Sequence, residues 1–359
     1  MIYFCCLSME LIHANYMRRC LQLASLAAGN TAPNPMVGAV LVYDDRVIAE
    51  GFHEQYGKAH AEVNCLALVN DQHILENSTL YVSLEPCAHF GKTPPCADLI
   101  ISKGIKKVVV GCRDPFEEVN GKGIEKLVAA GIDVTQGILE AECMQLNKRF
   151  FTFHTKHRPY IILKWAESAN GMMASSGDQR TLISNETTNR LVHKWRAEEA
   201  AILVGTETAL VDNPSLTTRL WKGNHPVRVV MDMNLRLPPT LHIFDGSVLT
   251  VVFNGRMHKE SGNILYYQLD SSTDILQQLA NGLFKLNLQS VLVEGGAKTL
   301  QAFIDAGLWD ETRIITNHEL RLGNGKPSPR IQDAVQTGKQ DIISDTIRYY
   351  KPLPIQTGN

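Results

Sequence analysis

Three short segments of this chain could bind one metal ion, and that requirement constrains how its first half can fold. They are His60-Ala61-Glu62, Glu85-Pro86-Cys87 and Pro95-Cys96. One imidazole and two thiolates make three protein ligands, which leaves the fourth tetrahedral position of a zinc ion for water. Glu62 is not needed as a ligand, so it is free to move protons. The fold must therefore bring three segments to a single point.

The residues around these segments follow a pattern that predicts helices alternating with strands. His60 and Glu62 then lie in the first turn of one helix, Cys87 follows the carboxyl end of a strand, and Cys96 begins another helix. A helix N-terminus favours negative charge, such as that of Glu62. The alternation implies a sheet with helices on both faces. We predict helices over residues 9–30, 60–70, from 96 onward and over 123–130, and strands over 37–42, 47–52, 79–84, 107–112 and 132–134.

The donor set indicates a hydrolytic reaction. Zinc lowers the pKa of a bound water to about 7, and Glu62 can take the proton that this water loses. The water would attack the amidine-like carbon of an aminopyrimidine, and Glu62 would return protons to a ring nitrogen and to the departing ammonia. A His-x-Glu followed by Pro-Cys-x-x-Cys is typical of zinc deaminases. Here, however, Cys87 and Cys96 are separated by residues 88–95.

Other interpretations of this cluster stay open. The cysteines could be a buried pair, with His60 acting only as a helix cap. His89 could be a fourth ligand, which would make the zinc structural, and iron or another metal could replace zinc. A purely structural zinc would leave Glu62 without a purpose.

Composition limits the class of protein further. A chain of 359 residues is longer than one typical domain, so two domains are expected. A formal charge of -2 argues against a general nucleic-acid or membrane-surface binder. Cysteines in a long chain rich in core residues fit reduced thiols and a cytoplasmic protein better than a disulfide framework. The N-terminus lacks the basic region of a secretory signal, Met9 is an alternative start, and no apolar stretch is long enough to span a membrane.

In the second half, residues 290–300 predict a hydrophobic strand that runs through Gly295-Gly296 into a helix. Glycines let a phosphate approach the backbone, and a helix N-terminus supplies free amides. The Gly-x-Gly-x-x-Gly fingerprint of dinucleotide sites is absent, and a Gly-Gly pair alone could be a structural turn. Residues 149–159 are expected to be a short connector. Further strands are predicted over 159–166, 200–205, 227–232 and 248–253, and a helix over 184–197.

In these motifs the chain resembles a known family, the bifunctional riboflavin-biosynthesis deaminase–reductases. Residues 31–38, 60–63 and 85–96 are similar to the deaminase half, in which a long insert between the two cysteines is the rule. Residues 164–168, 205–209, 212–219 and 294–296 are similar to the reductase half. The spacing of the cysteines thus separates this chain from cytidine and tRNA deaminases, which have the short Cys-x-x-Cys.

The resemblance implies an α/β fold with two parts. One is a cytidine-deaminase-like, three-layer α/β/α domain over residues 9–150, and the other a dihydrofolate-reductase-like α/β domain over residues 158–359. It implies Zn²⁺ and NADPH as cofactors. The implied substrate is a small molecule, the diaminopyrimidinone ribosylamino 5′-phosphate, which is deaminated before its ribosyl group is reduced to a ribityl chain. A homo-oligomer is expected, without nucleic-acid or membrane partners.

The resemblance also implies site residues beyond the zinc ligands and Glu62. Arg196 and Arg219 could clamp a 5′-phosphate with paired hydrogen bonds. The implied substrate contacts are Asn34, His53, His89 and Lys92 in the first half and Arg180, Arg196, Leu216, Arg219 and Glu294 in the second. The implied NADPH contacts are Ala166, Leu182, Thr208, Asp212, Gly296, Ala297, Lys298, Thr299, Leu300, Gln301 and Ala302.

Two departures from the family pattern lie in the reductase half. Asn170 stands where the family usually has aspartate, and Leu182 stands where it often has tryptophan. Asparagine can replace an aspartate that only orients backbone groups in a turn, but not one whose charge is needed at the nicotinamide. The alternative is therefore a deaminase whose second half only binds or dimerises. A nucleic-acid-acting deaminase is a further alternative, which the charge balance disfavours.

Overall fold

The structure is a computed structural model that describes the backbone of residues 2–90, 94–175 and 181–354, with side chains from residue 10 onward. The chain divides into two compact units, Met1–His157 and Arg158–Asn359. Among the described helices, none combines the length and the apolar character that a membrane span requires.

The first unit is built on a mixed five-stranded sheet. Its strands are β1 (Gly38–Tyr43), β2 (Arg46–Phe52), β3 (Thr79–Leu84), β4 (Lys107–Cys112) and β5 (Asp133–Gln136). They are ordered β2-β1-β3-β4-β5. β1 is antiparallel to both of its neighbours, whereas β3, β4 and β5 are parallel. The carboxyl ends of β3 and β4 therefore lie at one edge of the sheet, from which the segment carrying Cys87 departs.

Helices cover both faces of this sheet. They are α1 (Ile2–Ser25), α2 (Ala61–Leu66), α3 (Gln72–Asn77), α4 (Cys96–Ser102), α5 (Lys122–Ala129), α6 (Glu140–Leu146) and α7 (Lys148–Lys156). Because successive strand residues point to opposite faces, Leu80 packs on the side of α2 to α5, whereas Tyr81 packs against α1 and α6. The predicted three-layer α/β/α arrangement is confirmed.

Three predicted elements of the first unit differ from the structure. The helix expected over residues 9–30 spans Ile2–Ser25 instead. The segment expected to be a connector contains helix α7, which buries Phe150 and Phe153 three residues apart. Helix α7 itself contains no proline or glycine that would break it, and it ends only where His157 adopts a left-handed φ of +51°. The helix expected over 60–70 is shorter, because α2 begins after His60 and ends at Leu66.

The second unit is built on a ten-stranded sheet. The strands of this unit are β6 (Tyr160–Ser168), β7 (Met172–Ser175), β8 (Ala201–Gly205), β9 (Val227–Met231), β10 (Thr250–Asn254), β11 (Lys259–Ser261), β12 (Ile264–Gln268), β13 (Ser290–Gly295), β14 (Glu311–Asn317), β15 (Gly325–Pro327), β16 (Ala334–Ile342) and β17 (Asp345–Pro352). The parallel centre of the sheet runs in the order β12-β10-β9-β8-β13-β6-β14, with antiparallel β11 at one edge and the β17-β16 hairpin at the other. Strands β7 and β15 pair separately.

The parallel strands are apolar on both faces, as strands covered by helices must be. Leu163 packs on the side that carries Leu279 and Phe303, whereas Ile162 packs on the side of Val192 and Trp195. The covering helices are α8 (Glu186–Glu198), α9 (Thr206–Asp212), α10 (Ile275–Lys285) and α11 (Ala297–Asp305). The predicted α/β class is thus confirmed for this half as well.

A buried ion pair joins α8 to β13. Nε and Nη2 of Arg196 donate to the two carboxylate oxygens of Glu294, each at 2.7 Å, and Lys164 Nζ lies 3.7 Å from Glu294 Oε2. Burial alone would raise the pKa of Glu294, but the positive charges of Arg196 and Lys164 outweigh it and lower the pKa to about 2. Glu294 is therefore ionised inside the protein.

Replacing Arg196 should destabilise this unit in a pH-dependent way. Arg196→Leu leaves a buried carboxylate with one cation fewer, which should cost about 3 kcal/mol at neutral pH. Since the pKa of Glu294 is lowered from 4.5 to about 2, the ion pair stabilises the fold above about pH 4.5 and loses this effect as the pH falls through about 2. Urea unfolding followed by tryptophan fluorescence measures this, because all four tryptophans lie in the second unit.

The exposed pair of Arg236 and Glu207, at 3.1 Å, provides a matched control. Arg236→Leu should change the free energy of unfolding by less than about 1 kcal/mol. Equal losses in the two variants would show that burial of the Arg196–Glu294 pair has no special effect.

Candidate active sites

His60, Cys87 and Cys96 come together in the first unit, with ligand atoms all within 4.8 Å of one another. Nδ1 of His60 lies 3.3 Å from the Cys96 sulfur and 3.7 Å from the Cys87 sulfur. One imidazole nitrogen and two sulfurs are a donor set that suits zinc. In the described part of the chain, His89 does not join this cluster, so the three residues leave a coordination position for water.

The ends of secondary-structure elements hold each ligand. His60 has extended backbone just before α2, and its side chain makes no cap hydrogen bond to that helix. Cys96 is the first residue of α4, where its N–H donates to the Cys87 sulfur at 3.3 Å. Ala97 N–H donates to the Cys87 carbonyl at 3.1 Å. Hydrogen bonds from Cys96 and His60 lower the pKa of the Cys87 thiol, so it is ready to bind a cation as thiolate.

Glu62 lies in the first turn of α2 and is only 3% exposed. Burial raises the pKa of its carboxyl to about 7, and the negative charge of Cys87 acts in the same direction. A carboxyl group with such a pKa can both accept and return a proton near neutrality.

Two further predicted residues form a hydrogen-bonded row beside the cluster. His53 Nδ1–H donates to the Ala59 carbonyl at 3.0 Å, which leaves Nε2 to accept from Asn34 Nδ2 at 3.1 Å. The His53 ring is edge-on to His60, with 5.4 Å between centroids. His89 has a buried Nδ1 without a hydrogen-bond partner in the described structure, and Lys92 lies outside the described residues.

In the second unit, two strand-to-helix turns lie side by side. Gly205 ends β8 and precedes α9, and Gly296 follows the neighbouring strand β13 and precedes α11. A Cβ on Gly205 would meet Thr299 Oγ1 at 2.5 Å, and one on Gly296 would meet Thr208 Oγ1 at 2.9 Å. The glycines therefore let the threonine hydroxyls and two helix N-termini line one cradle, which fits the phosphates of a dinucleotide such as NADPH.

The other predicted cofactor residues occupy varied surroundings. Leu300 is fully buried in the core, so its side chain does not face a ligand. Gln301 exchanges hydrogen bonds with the backbone of Arg330, and Leu182 is 75% exposed. Ala166 is in β6, Asp212 ends α9, and Ala297, Lys298 and Ala302 belong to α11.

In the second unit, the predicted substrate residues do not form the expected pair of arginines around a phosphate. The fork of Arg196 is occupied by Glu294. Arg219 is exposed; its Nη1 donates to Thr217 Oγ1 at 3.0 Å. Leu216 is 3% exposed, so only its backbone could reach a substrate. Arg180 lies outside the described residues.

Asn170 joins two loops of the second unit. Its Oδ1 accepts from Leu322 N–H at 3.1 Å and from Ser168 Oγ at 2.8 Å, while its Nδ2 donates to the Leu322 carbonyl at 2.6 Å. The carboxamide thus serves as both acceptor and donor to one backbone residue. An aspartate could not make the second bond while ionised.

Sequence reasoning missed two residues at these sites. Lys164 stands in one of the resemblance segments but was not predicted as a site residue, and it lies beside Glu294. Glu85 directly precedes the Pro86-Cys87 ligand segment and is buried. An acidic residue inside a ligand segment was the available signal for Glu85.

Comparison with known proteins covers both units. A family model for the cytidine and deoxycytidylate deaminase zinc-binding region matches residues 11–112, and one for the RibD C-terminal domain matches residues 159–337. The riboflavin biosynthesis protein RibD of Aquifex aeolicus is 40% identical over 88% of this chain and 89% of its own length. That of Actinobacillus pleuropneumoniae is 36% identical over 91% and 89%.

A solved structure gives the same result. The diaminohydroxyphosphoribosylaminopyrimidine deaminase/5-amino-6-(5-phosphoribosylamino)uracil reductase of Thermotoga maritima is 34% identical, covers 96% of this chain and 99% of its own, and has a TM-score of 0.88. Because the matches include the reductase half, a deaminase with a non-catalytic second half has no support. The chain belongs to the RibD family of riboflavin biosynthesis, whose members combine a zinc-dependent deaminase with an NADPH-dependent reductase.

Proposed function

We propose that His60, Cys87 and Cys96 hold the zinc of the deaminase and that Glu62 moves its protons. The observation that carries this proposal is the meeting of one nitrogen and two sulfur ligands beside a buried carboxyl group. Zinc, when bound, supplies Lewis acidity that makes a water nucleophilic at neutral pH. Everything else in the reaction falls to side chains of this chain.

Glu62 carries the proton through the deamination. A carboxylate oxygen of Glu62 takes a proton from the attacking water as the new C–O bond forms at the amine-bearing carbon of the pyrimidine. It passes that proton to the ring nitrogen. Glu62 then takes the remaining proton from the hydroxyl group of this adduct and passes it to the amine. The C–N bond breaks as the C–O bond becomes a carbonyl, and ammonia leaves. Burial of Glu62 keeps bulk water from exchanging with the proton in transit.

Asn34 and His53 orient the substrate next to this carboxyl group. Their mutual hydrogen bond fixes the tautomer of His53 and holds the Asn34 amide. Side chains locked in this way lose little conformational entropy when they bind a ligand. By the family resemblance, His89 and Lys92 contact the same substrate.

In the second unit we assign NADPH to the cradle formed by Thr208 and the start of α11. NADPH, when bound, supplies the hydride that converts the ribosyl group to a ribityl chain. The first-turn amides of α11 suit its phosphates. We assign Glu294, which Arg196 and Lys164 keep ionised, to hydrogen bonds with ribose hydroxyls. We assign exposed Arg219 to the 5′-phosphate of the substrate.

We also propose the bounds of the two domains, the compartment and self-association. We assign the deaminase to residues 9–150 and the reductase to residues 158–359, and we expect a cytoplasmic homo-oligomer. None of the described cysteines forms a disulfide, which fits a reducing compartment.

Removing the carboxylate of Glu62 should separate zinc binding from catalysis. Glu62→Gln keeps the shape of the side chain but cannot take a proton, so the rate of deamination should fall about 10²–10⁴-fold. Zinc content, measured by atomic absorption, should stay at the wild-type level. Ammonia release near the wild-type rate would contradict the assigned role.

Restoring the usual aspartate at position 170 should not improve the reductase. Asn170→Asp places a carboxylate oxygen against the Leu322 carbonyl, so the hydrogen bond is lost and about 1 kcal/mol of stability with it. We expect no gain in the rate of NADPH oxidation with the deaminated substrate. A severalfold gain would show instead that charge at this position assists hydride transfer.

A further inference from the structure

The buried carboxylate of Glu85 has no part in the proposed chemistry, yet it is among the most thoroughly hydrogen-bonded side chains of the first unit. Its Oε2 accepts from Asp114 N–H at 3.2 Å and from Gly121 N–H at 2.9 Å. Its Oε1 accepts from Gly123 N–H at 2.9 Å and from Ile124 N–H at 3.3 Å. Only 3% of the residue is exposed.

The partners of Glu85 all belong to one loop and the start of α5. Gly121 has a φ of +94°, a backbone conformation that favours glycine. Its amide and those of the first turn of α5 thereby point at the carboxylate, where an anion is stabilised. Gly123 comes even closer to the ligand segment, because a Cβ built on it would lie 1.9 Å from the Pro86 carbonyl oxygen.

These contacts converge on the residues directly before Cys87. Glu85 N–H donates to the Cys112 carbonyl at 3.0 Å, so the backbone as well as the side chain of Glu85 is fixed. Pro86 has a restricted φ, and the next residue is the ligand Cys87. Gly121 and the first turn of α5 therefore hold the ligand segment through the Glu85 carboxylate, while the first residue of α4 donates a hydrogen bond to the Cys87 sulfur.

From this geometry we infer that Glu85 is a positioning residue for the zinc site, with Gly121 and Gly123 as its backbone partners. The carboxylate clamps the Glu85-Pro86-Cys87 segment onto the start of α5, and so sets the place of the Cys87 sulfur before the metal binds. This inference rests on the proposed assignment of Cys87 as a zinc ligand. Partners that orient metal ligands typically contribute 10–100-fold to metal affinity.

The test is the zinc affinity of the full-length protein, stripped of metal and titrated with Zn²⁺ against a chromophoric chelator. Glu85→Gln retains the size of the side chain, but its NH₂ group would face backbone N–H donors, and the affinity should fall about 10–100-fold. Gly123→Ala presses a methyl group against the Pro86 carbonyl, and its zinc affinity should fall by a similar factor. The control Glu125→Gln removes an exposed acid from the same helix and should bind zinc like wild type.

A second readout separates positioning from general destabilisation. In the Co²⁺-loaded protein, the thiolate-to-cobalt absorption band should shift in Glu85→Gln but not in Glu125→Gln. With the deaminated substrate, the same samples should oxidise NADPH at the wild-type rate. If Glu85→Gln does not fold, Gly123→Ala alone decides. Wild-type zinc affinity and an unshifted cobalt band in a folded Glu85→Gln or Gly123→Ala protein would overturn the inference.

Cys87→Ala distinguishes this outcome from a failure of the underlying assignment. If Cys87→Ala loses zinc while Glu85→Gln retains wild-type affinity, the ligand set stands and only the clamp is wrong. If Cys87→Ala itself binds zinc like wild type, the proposed ligand set is wrong, and the clamp falls with it.

Discussion

Holding three metal ligands at one point is the constraint on which the first unit depends. His60, Cys87 and Cys96 belong to different elements, and their ligand atoms must stay within 4.8 Å of one another. The parallel pairing of β3 and β4 fixes the edge from which Cys87 departs. The starts of α2 and α4 bring the other two ligands to that edge, and buried Glu85 fixes the segment between strand and ligand. The arrangement of the sheet and its helices and the position of the metal site therefore depend on each other.

The second unit is also a sheet covered by helices, but the constraint on its site is space at the ends of the strands. Its parallel strands end at one edge, where Gly205 and Gly296 open neighbouring turns. Small residues are required there, because a side chain would occupy the space of Thr208 and Thr299. Beneath this cradle, Arg196 and Lys164 keep Glu294 charged in a buried position. Both units place chemistry at strand ends and leave the strand centres to the core.

The meeting of His60, Cys87 and Cys96 and the strand–helix alternation could be predicted from the sequence, because coordination chemistry and hydrophobic period restrict the residue types that fit. The role of Glu62 stays a prediction. Pairings between distant side chains could not be predicted. Nothing local to Arg196 shows that Glu294 fills its fork, and nothing local to Glu85 shows that amides of α5 surround it. Helix α7 was not predicted, because its basic and aromatic composition resembles that of a connector and only the spacing of Phe150 and Phe153 indicates a helix.

The central claim is that one chain performs two successive reactions with separate sets of residues. The most direct measurement is product mass after anaerobic incubation of the full-length protein with the diaminopyrimidinone ribosylamino phosphate, with and without NADPH. Without NADPH, we expect replacement of one amino group by oxygen and release of ammonia. With NADPH, we expect the same exchange plus two added hydrogens. Hydrogens gained without loss of the amine, or no hydrogens gained when NADPH is present, would contradict this claim.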